Sequence, residues 1–386
     1  MITSTLLALA LATGVGVVLV YNNWNGNLDQ VGIAGQVKNR PEKVVEGPQE
    51  PMNILVMGSD SRAGKGNGID GETGGGLSDT TILFHLSANR EFAYGISIPR
   101  DTAVQRPTCY HKDGSEIAGS GETYVKWNVA FAVGGPACTV QQFEQISGVR
   151  VDKYVVVDFN GFKDMVNALD GVEVCIPEDI NDEVRKIYLK AGTREVKGDE
   201  ALTYFRVRYR VGDGTDTQRT RRQQAFIGSM INKALTAGML ARPDRLVSFM
   251  NAFSSSLKTD FKNIAEMADL AVTARGVGAE NIRFVTTPWG GTTKVSGGVE
   301  WTPDVEKLWS LVVEDKPLTS EFLKDALSAA DKPDGSKPPA TGPADPSGSP
   351  TDTPSSPVSP SDGASPTDES GQGLSVDGRA AAGLCT

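Results

Sequence analysis

The sequence predicts an α/β layer fold with a mixed central sheet flanked by helices. Two observations carry that expectation. Short apolar runs ended by glycine, proline or polar residues alternate with stretches of helical pattern, and a 39% hydrophobic content over 386 residues supplies a sizeable core. "MNILVMG" (52–58) is an apolar run stopped by glycine, the pattern of a buried strand. "TTILFHL" (80–86) and "FAYGISI" (92–98) follow as strands joined by "SANRE", a hairpin-like connection. "KYVVVDF" (153–159) is another strand. In "NGFKDMVNALDG", Phe162, Val166 and Leu169 fall on one helix face and Gly171 is the stop signal. "VEVCI" reads as a strand, "KGDEALTYF" as a short helix, 217–237 as a long helix, and "NIRFVTT" (281–287) as a late strand.

The flanks differ in kind. Residues 3–21 carry no charge and have about the length that spans a hydrocarbon core as a helix, so 1–21 is expected to be a transmembrane anchor. A secretory signal peptide is the alternative, although its apolar stretch is usually shorter and its start basic. Residues 22–51 read as a tether, 52–330 as the catalytic domain, and 331–386, rich in Pro, Ser, Thr, Asp and Gly, as a disordered tail. Residues 63–78 hold seven glycines and almost no apolar mass, which predicts a mobile loop. None of the four cysteines has CxxC spacing, so a zinc site is not expected. Cys109 and Cys138 flank a loop-rich stretch and form the expected disulfide of a body outside the membrane, whereas Cys175 has no evident partner.

A net charge of -10 argues against nucleic-acid binding, which needs a basic footprint. Yet "RVRYRVGDGTDTQRTRRQQ" (206–224) packs six arginines and no lysine. At 100° per residue, the apolar face of the long helix passes through Phe226, Ile227, Met230 and Ile231. Gln223 lies near the middle of that face, Arg219 within it and Arg222 on its flank, while Arg221 points nearly the opposite way. Asp216 or Thr217 is the expected N-cap. Arg206 and Arg208 would share one face of an extended strand. A solvated face is the ordinary reading of such a run. Inward-facing guanidinium groups need partners, however, and Asp213 and Asp216 are too few. Convergence on one compact anion, for which the planar fork suits phosphate, explains both the phase and the missing lysines.

Two further groups join this run. Asp60 follows the first strand and Asp79 precedes the second, so they could hold one hard cation such as Mg²⁺, although Asp is common at turns and caps. In "SIPRDT", Arg100 and Asp101 sit just beyond a strand end, where ligand sites of α/β sheets gather. Lys126 and Asn128 of "KWN" add a weaker signal. The P-loop order and the GxSxG elbow are missing, and His85 and His111 offer little for acid–base chemistry. Arginine, aspartate and a metal are the parts of a phosphoryl-transfer site.

Taken in order, "NILVMGSDSR", "SDTTILFHL", "AYGISIPRDT", "KWNVAFAVGG", "VDKYVVVDFNGFKDMVNALDGVEV", "GDEALTYFRVRYR" and "DTQRTRRQQAFI" resemble the LytR–CpsA–Psr (LCP) family of bacterial envelope proteins, in its actinobacterial form, over residues 52–238. The resemblance implies a membrane-anchored phosphotransferase with its catalytic domain on the cell-wall side of the cytoplasmic membrane. It would move a glycopolymer from a polyprenyl pyrophosphate to peptidoglycan through a phosphodiester. By motif, Asp60 and Asp79 would bind Mg²⁺, and Arg62, Arg100, Arg206, Arg208, Arg219, Arg222 and Gln223 would surround the pyrophosphate. Asp101 and Asp216 would orient arginines, one of them helping as a base, and an apolar tunnel would take the prenyl tail. Two departures stand out: no basic residue precedes the anchor, and where relatives have a cysteine able to pair with Cys175 this chain has Thr193. A pyrophosphate phosphohydrolase, a transcriptional attenuator and a module that only grips anionic polymer are the competing expectations.

Overall fold

The computed structural model describes residues 18–43, 49–59, 76–235, 243–336 and 373–386. Its centre is an eight-stranded mixed sheet. The labelled strands in chain order are β1 (Asp29–Gln30), β2 (Met52–Ser59), β3 (Ser78–Leu86), β4 (Ala93–Ile98), β5 (Lys153–Val157), β6 (Val172–Ile176), β7 (Gly192–Val196), β8 (Leu257–Thr259), β9 (Ile282–Thr286) and β10 (Leu327–Ser328). Across the sheet the order is β1-β8-β5-β2-β3-β4-β9-β10. Strands β5, β2, β4 and β9 point one way and β3 runs against them. The carboxyl ends of four strands and the start of β3 therefore share one edge.

Side chains alternate across this sheet as the pleat requires. Leu55 and Met57 of β2 face a core closed by α1 (Val129–Ser147) and α7 (Asp304–Val313), through Val140, Phe143, Leu308 and Trp309. Ile54 faces the other side, under α6 (Ile264–Val277). That second side also carries α2 (Phe159–Ala168), α3 (Gly198–Arg206), α4 (Asp216–Leu235) and α5 (Pro243–Ser256). Each fully buried Leu or Met here contributes about 2 kcal/mol. Three layers, helix on sheet on helix, follow.

The strands expected from the sequence all appear, within two residues at each end. "VEVCI" is indeed a strand, but it lies outside the main sheet and pairs antiparallel with β7. His85 is buried, its ring nitrogens 2.8 Å from Asn53 Oδ1 and 3.0 Å from Asp315 Oδ1, toward the opposite end of β3 from Asp79. The expected Cys109–Cys138 disulfide is present.

Several expectations are corrected. Cys175 is not alone, because it is bonded to Cys385, 210 residues on. Thr193 stands opposite Cys175 in the β6–β7 pair, and the chain terminus supplies the sulfur that this neighbour lacks. The predicted disordered tail is wrong for its last part: 373–386 folds back, with helix α8 (Val376–Ala381) capped by Ser375 and with Ala382 and Leu384 buried. Residues 337–372 of that tail, and most of the predicted 63–78 loop, lie outside the described residues. So do residues 1–17 of the predicted anchor; no helix among the described residues is long and apolar enough to cross a membrane.

Candidate active site at the strand ends

Helix α4 is aimed at the shared sheet edge. Neither Asp216 nor Thr217 caps it. Thr215 does: its Oγ1 accepts from Gln218 N–H at 3.4 Å and its carbonyl accepts from Arg219 N–H at 3.2 Å. Asp216 is thereby drawn into the first turn, where a carboxylate complements the positive end of the helix.

There Asp216 meets the turn after β4. Arg100 Nε lies 3.3 Å from Asp216 Oδ1, and Arg219 Nη2 lies 2.7 Å from the same oxygen. Arg100 Nη1 donates to Asp79 Oδ1 at the start of β3. Asp101 sits between Arg100 (3.8 Å) and Lys126 Nζ (2.8 Å). Three elements, the start of β3, the turn after β4 and the first turn of α4, thus deliver Asp79, Arg100, Asp101, Asp216 and Arg219 to one ion network. Arg219 is 4% exposed, so its charge is held almost wholly inside the protein.

The network is under-satisfied. Among the described residues, Arg100 Nε, Arg219 Nε and both carboxylate oxygens of Asp216 are buried without a hydrogen bond. The close approaches to Asp216 Oδ1 are ion-pair contacts at angles outside hydrogen-bond geometry. Buried polar atoms of this kind are rare in finished cores and are a feature of sites that wait for a polar ligand. Burial alone would raise the Asp79 carboxyl, but Arg100, Arg219 and Arg206 outweigh it and hold the group below its ordinary value. Burial alone would lower Arg100, but Asp79 and Asp216 raise it. Burial prevails at Arg219 and lowers it.

The other expected residues divide. Gln223 accepts from Thr80 Oγ1 at 3.3 Å and donates to the Phe205 carbonyl at 3.2 Å, tying α4 to β3 and α3 beside the network. Arg206 and Arg208 are not on a strand. Arg206 ends α3, its guanidinium 4.4 Å from the centre of the Phe159 ring, and Arg208 lies in the following turn against Tyr209. Both remain close enough to act electrostatically, Arg206 on Asp79 and Arg208 on Arg219. Arg222 turns away from the network. It is 1% exposed and donates to the carbonyls of Val207 and Ala382, and burial lowers it to about 10. Arg221 reaches toward Asp325 at 3.8 Å, away from the network as expected. Asp60 and Arg62 lie outside the described residues.

Sequence reasoning missed Gln224. It is 1% exposed, and its Nε2 donates to Ser97 Oγ, the Val285 carbonyl and Thr286 Oγ1, pinning α4 to the ends of β4 and β9. The signal was the doubled glutamine just before the apolar residues of a helix whose buried arc is wider than its apolar stripe.

For the expected Mg²⁺, no group of three or more His, Cys, Asp or Glu residues forms a metal cluster among the described residues. Mg²⁺ needs only one or two carboxylates when phosphate oxygens and waters complete its shell. Asp79 fits that role, with one oxygen engaged by Arg100.

The LytR_cpsA_psr family model matches residues 20–313. The chain belongs to the LytR_cpsA_psr family. Within that family it is 32% identical over 247 residues to the polyisoprenyl-teichoic acid–peptidoglycan teichoic acid transferase TagV of Bacillus subtilis, covering 62% of this chain and 59% of TagV. It is likewise 32% identical over 231 residues to the probable cell wall biosynthesis protein LcpB of Corynebacterium glutamicum, covering 58% of this chain and 52% of LcpB. The matches therefore span a little over half the length of these two relatives. The crystal structure of B. subtilis TagV superposes with a TM-score of 0.54 at 29% identity, over 71% of this chain and 100% of that one. TagT bound to LI-WTA gives 0.53 at 21% identity, over 74% of this chain and 98% of that one, a likeness of fold alone.

Proposed function

We propose that this LytR_cpsA_psr protein is a membrane-anchored phosphotransferase, with its catalytic domain on the cell-wall side of the cytoplasmic membrane, that moves a glycopolymer from a polyprenyl pyrophosphate to peptidoglycan. The observation that carries the reading is the buried, under-satisfied network of Arg100, Arg219, Asp79 and Asp216 at the sheet edge. The transferase activity named for TagV supports it.

Chemically, the site is built for charge neutralisation, the main requirement of phosphoryl transfer. Arg100 and Arg219 would bind pyrophosphate oxygens through the nitrogens that lack protein acceptors, with Arg206, Arg208 and Arg62 around them. Asp216 fixes both guanidinium groups in place. Asp79, with Asp60, would hold Mg²⁺, which supplies further neutralisation of phosphate charge when bound. An acceptor hydroxyl attacks the phosphorus next to the glycopolymer, the P–O bond to the second phosphorus breaks, and polyprenyl phosphate leaves with the bonding electrons. The hydroxyl proton passes to a carboxylate, for which Asp101 and Asp216 are the groups at hand. Beyond Arg206, Phe159, Phe162, Phe205 and Phe226 pack into an aromatic cluster, against which a prenyl tail would have to lodge.

The test is to supply labelled lipid-linked polymer with Mg²⁺, with and without peptidoglycan. Label entering the wall only when both protein and Mg²⁺ are present supports the reading. Free polymer phosphate in equal amount with and without wall makes the protein a phosphohydrolase instead.

A further inference from the structure

Beyond the end of β9 the chain forms a hairpin of Trp289–Gly291 and Val299–Trp301, with Trp289 opposite Trp301. Its root is fixed. Trp301 packs between Trp127 (5.9 Å between centroids, tilted) and Trp309 (5.6 Å, edge-on), on the α1 and α7 side of the sheet. Its flank is tied to the reactive turn, because Val299 N–H donates to the Asp101 carbonyl at 3.1 Å and Val299 bridges to Thr102. At the neighbouring Gly298, a Cβ would come within 2.8 Å of the Asp101 carbonyl oxygen.

The hairpin surface has a distinct chemistry. All five tryptophans lie within the described residues, and of these only Trp289 is exposed, at 41%. Gly290 and Gly291 follow it, and a Cβ on Gly291 would meet nothing within 4 Å, so the strand beside the indole is open. Lys294 is bound to Glu300 at 2.6 Å and lies over the Tyr124 ring at 4.6 Å. Lys126 is bound to Asp101. Both lysines near the hairpin are thus paired with carboxylates. On the other side of the sheet, α4 presents the arginine network.

The Arg100–Asp101 turn therefore has two unlike sides. One is cationic and suits pyrophosphate. The other is aromatic and charge-balanced, and it suits an uncharged saccharide ring, whose C–H face stacks on an indole while its hydroxyls meet the Lys126–Asp101 pair at the turn. We propose that the Trp289 hairpin is the acceptor subsite, holding a sugar of the wall glycan strand with its hydroxyl toward Asp101. This rests on the transferase reading.

The experiment compares the full-length protein with its Trp289→Ala and Trp289→Phe variants, using soluble uncross-linked peptidoglycan glycan strands as probe. Strand binding is read first by isothermal titration calorimetry without donor, and transfer kinetics are then measured. The expected result is a rise of about tenfold in the KM for strands in Trp289→Ala, recovered largely by Trp289→Phe, with kcat at saturating strand and the donor KM within about twofold. An unchanged strand KM, or an effect on the donor KM instead, overturns the proposal. Strands that bind through Trp289 without any polymer transfer would uphold the subsite and sink the transferase reading. Transfer that ignores Trp289→Ala would do the reverse.

Discussion

Arg222 Nη1 donates to the carbonyl of Ala382, 3.1 Å away and 160 residues later in the chain. A guanidinium one helical turn from Arg219 is here engaged in holding the returning C-terminal segment. Its second branch holds Val207, next to the turn that carries Arg208. Arg222→Ala would orphan both buried carbonyls and is expected to cost about 3 kcal/mol of stability. Denaturant unfolding checks this. Full stability with lost substrate affinity would return Arg222 to the site.

Arg219 and Arg221 are two positions apart in the chain but differ in surroundings. Arg219 is buried beside Asp216, whereas Arg221 only approaches the exposed Asp325. Arg219→Ala is expected to lower kcat/KM on the order of a hundredfold, the scale of losing one transition-state donor, and Arg221→Ala by less than about twofold. Equal losses in steady-state transfer would show that the helix phase assigned here is mistaken.

The Cys175–Cys385 bond closes the chain from β6 to the returning C-terminal segment into one loop, with a sequence separation of 210. Cys385→Ser is expected to cost about 2–5 kcal/mol and to loosen α8. Amide hydrogen exchange should then show 373–386 losing protection before the central sheet does. Simultaneous loss across both would mean that the segment is part of the core unit, not a strap over it.

Asp79 links stability to acidity. Its folded-state carboxyl titrates below the ordinary value, so the stabilisation it gives is complete above about pH 4 and is lost as the pH falls through the lower folded value. Asp79→Asn, which breaks a largely buried pair with Arg100, is expected to cost about 2 kcal/mol at neutral pH and to flatten the acid limb. Urea midpoints between neutral pH and pH 2 would reveal it. An acid limb as steep as that of the parent would assign the dependence to another carboxylate.

The layered fold was legible because strand and helix periods are local signals. The candidate site was legible in part. Arg219 and Gln223 were readable from helix phase, since polar side chains on an apolar face need a partner. Arg206 and Arg208 were misread as a strand because alternation over a few residues does not distinguish a strand from the end of a helix and its following turn. Arg222 was misassigned because its acceptor belongs to a distant segment. The tail was misread for a related reason: average composition hid "GLSVDGRAAAGLCT", whose Leu384 and Cys385 have partners only in the folded body.

Arg100 and Arg219, set by Asp79 and Asp216, are proposed to hold a pyrophosphate. The most direct measurement is calorimetric titration of the purified protein with a short polyprenyl pyrophosphate in the presence of Mg²⁺, beside the matching prenyl alcohol. The pyrophosphate is expected to bind at least about tenfold more tightly than the alcohol, with that advantage lost in Arg219→Ala and retained in Arg221→Ala. Equal affinity for pyrophosphate and alcohol in the unaltered protein would contradict the account.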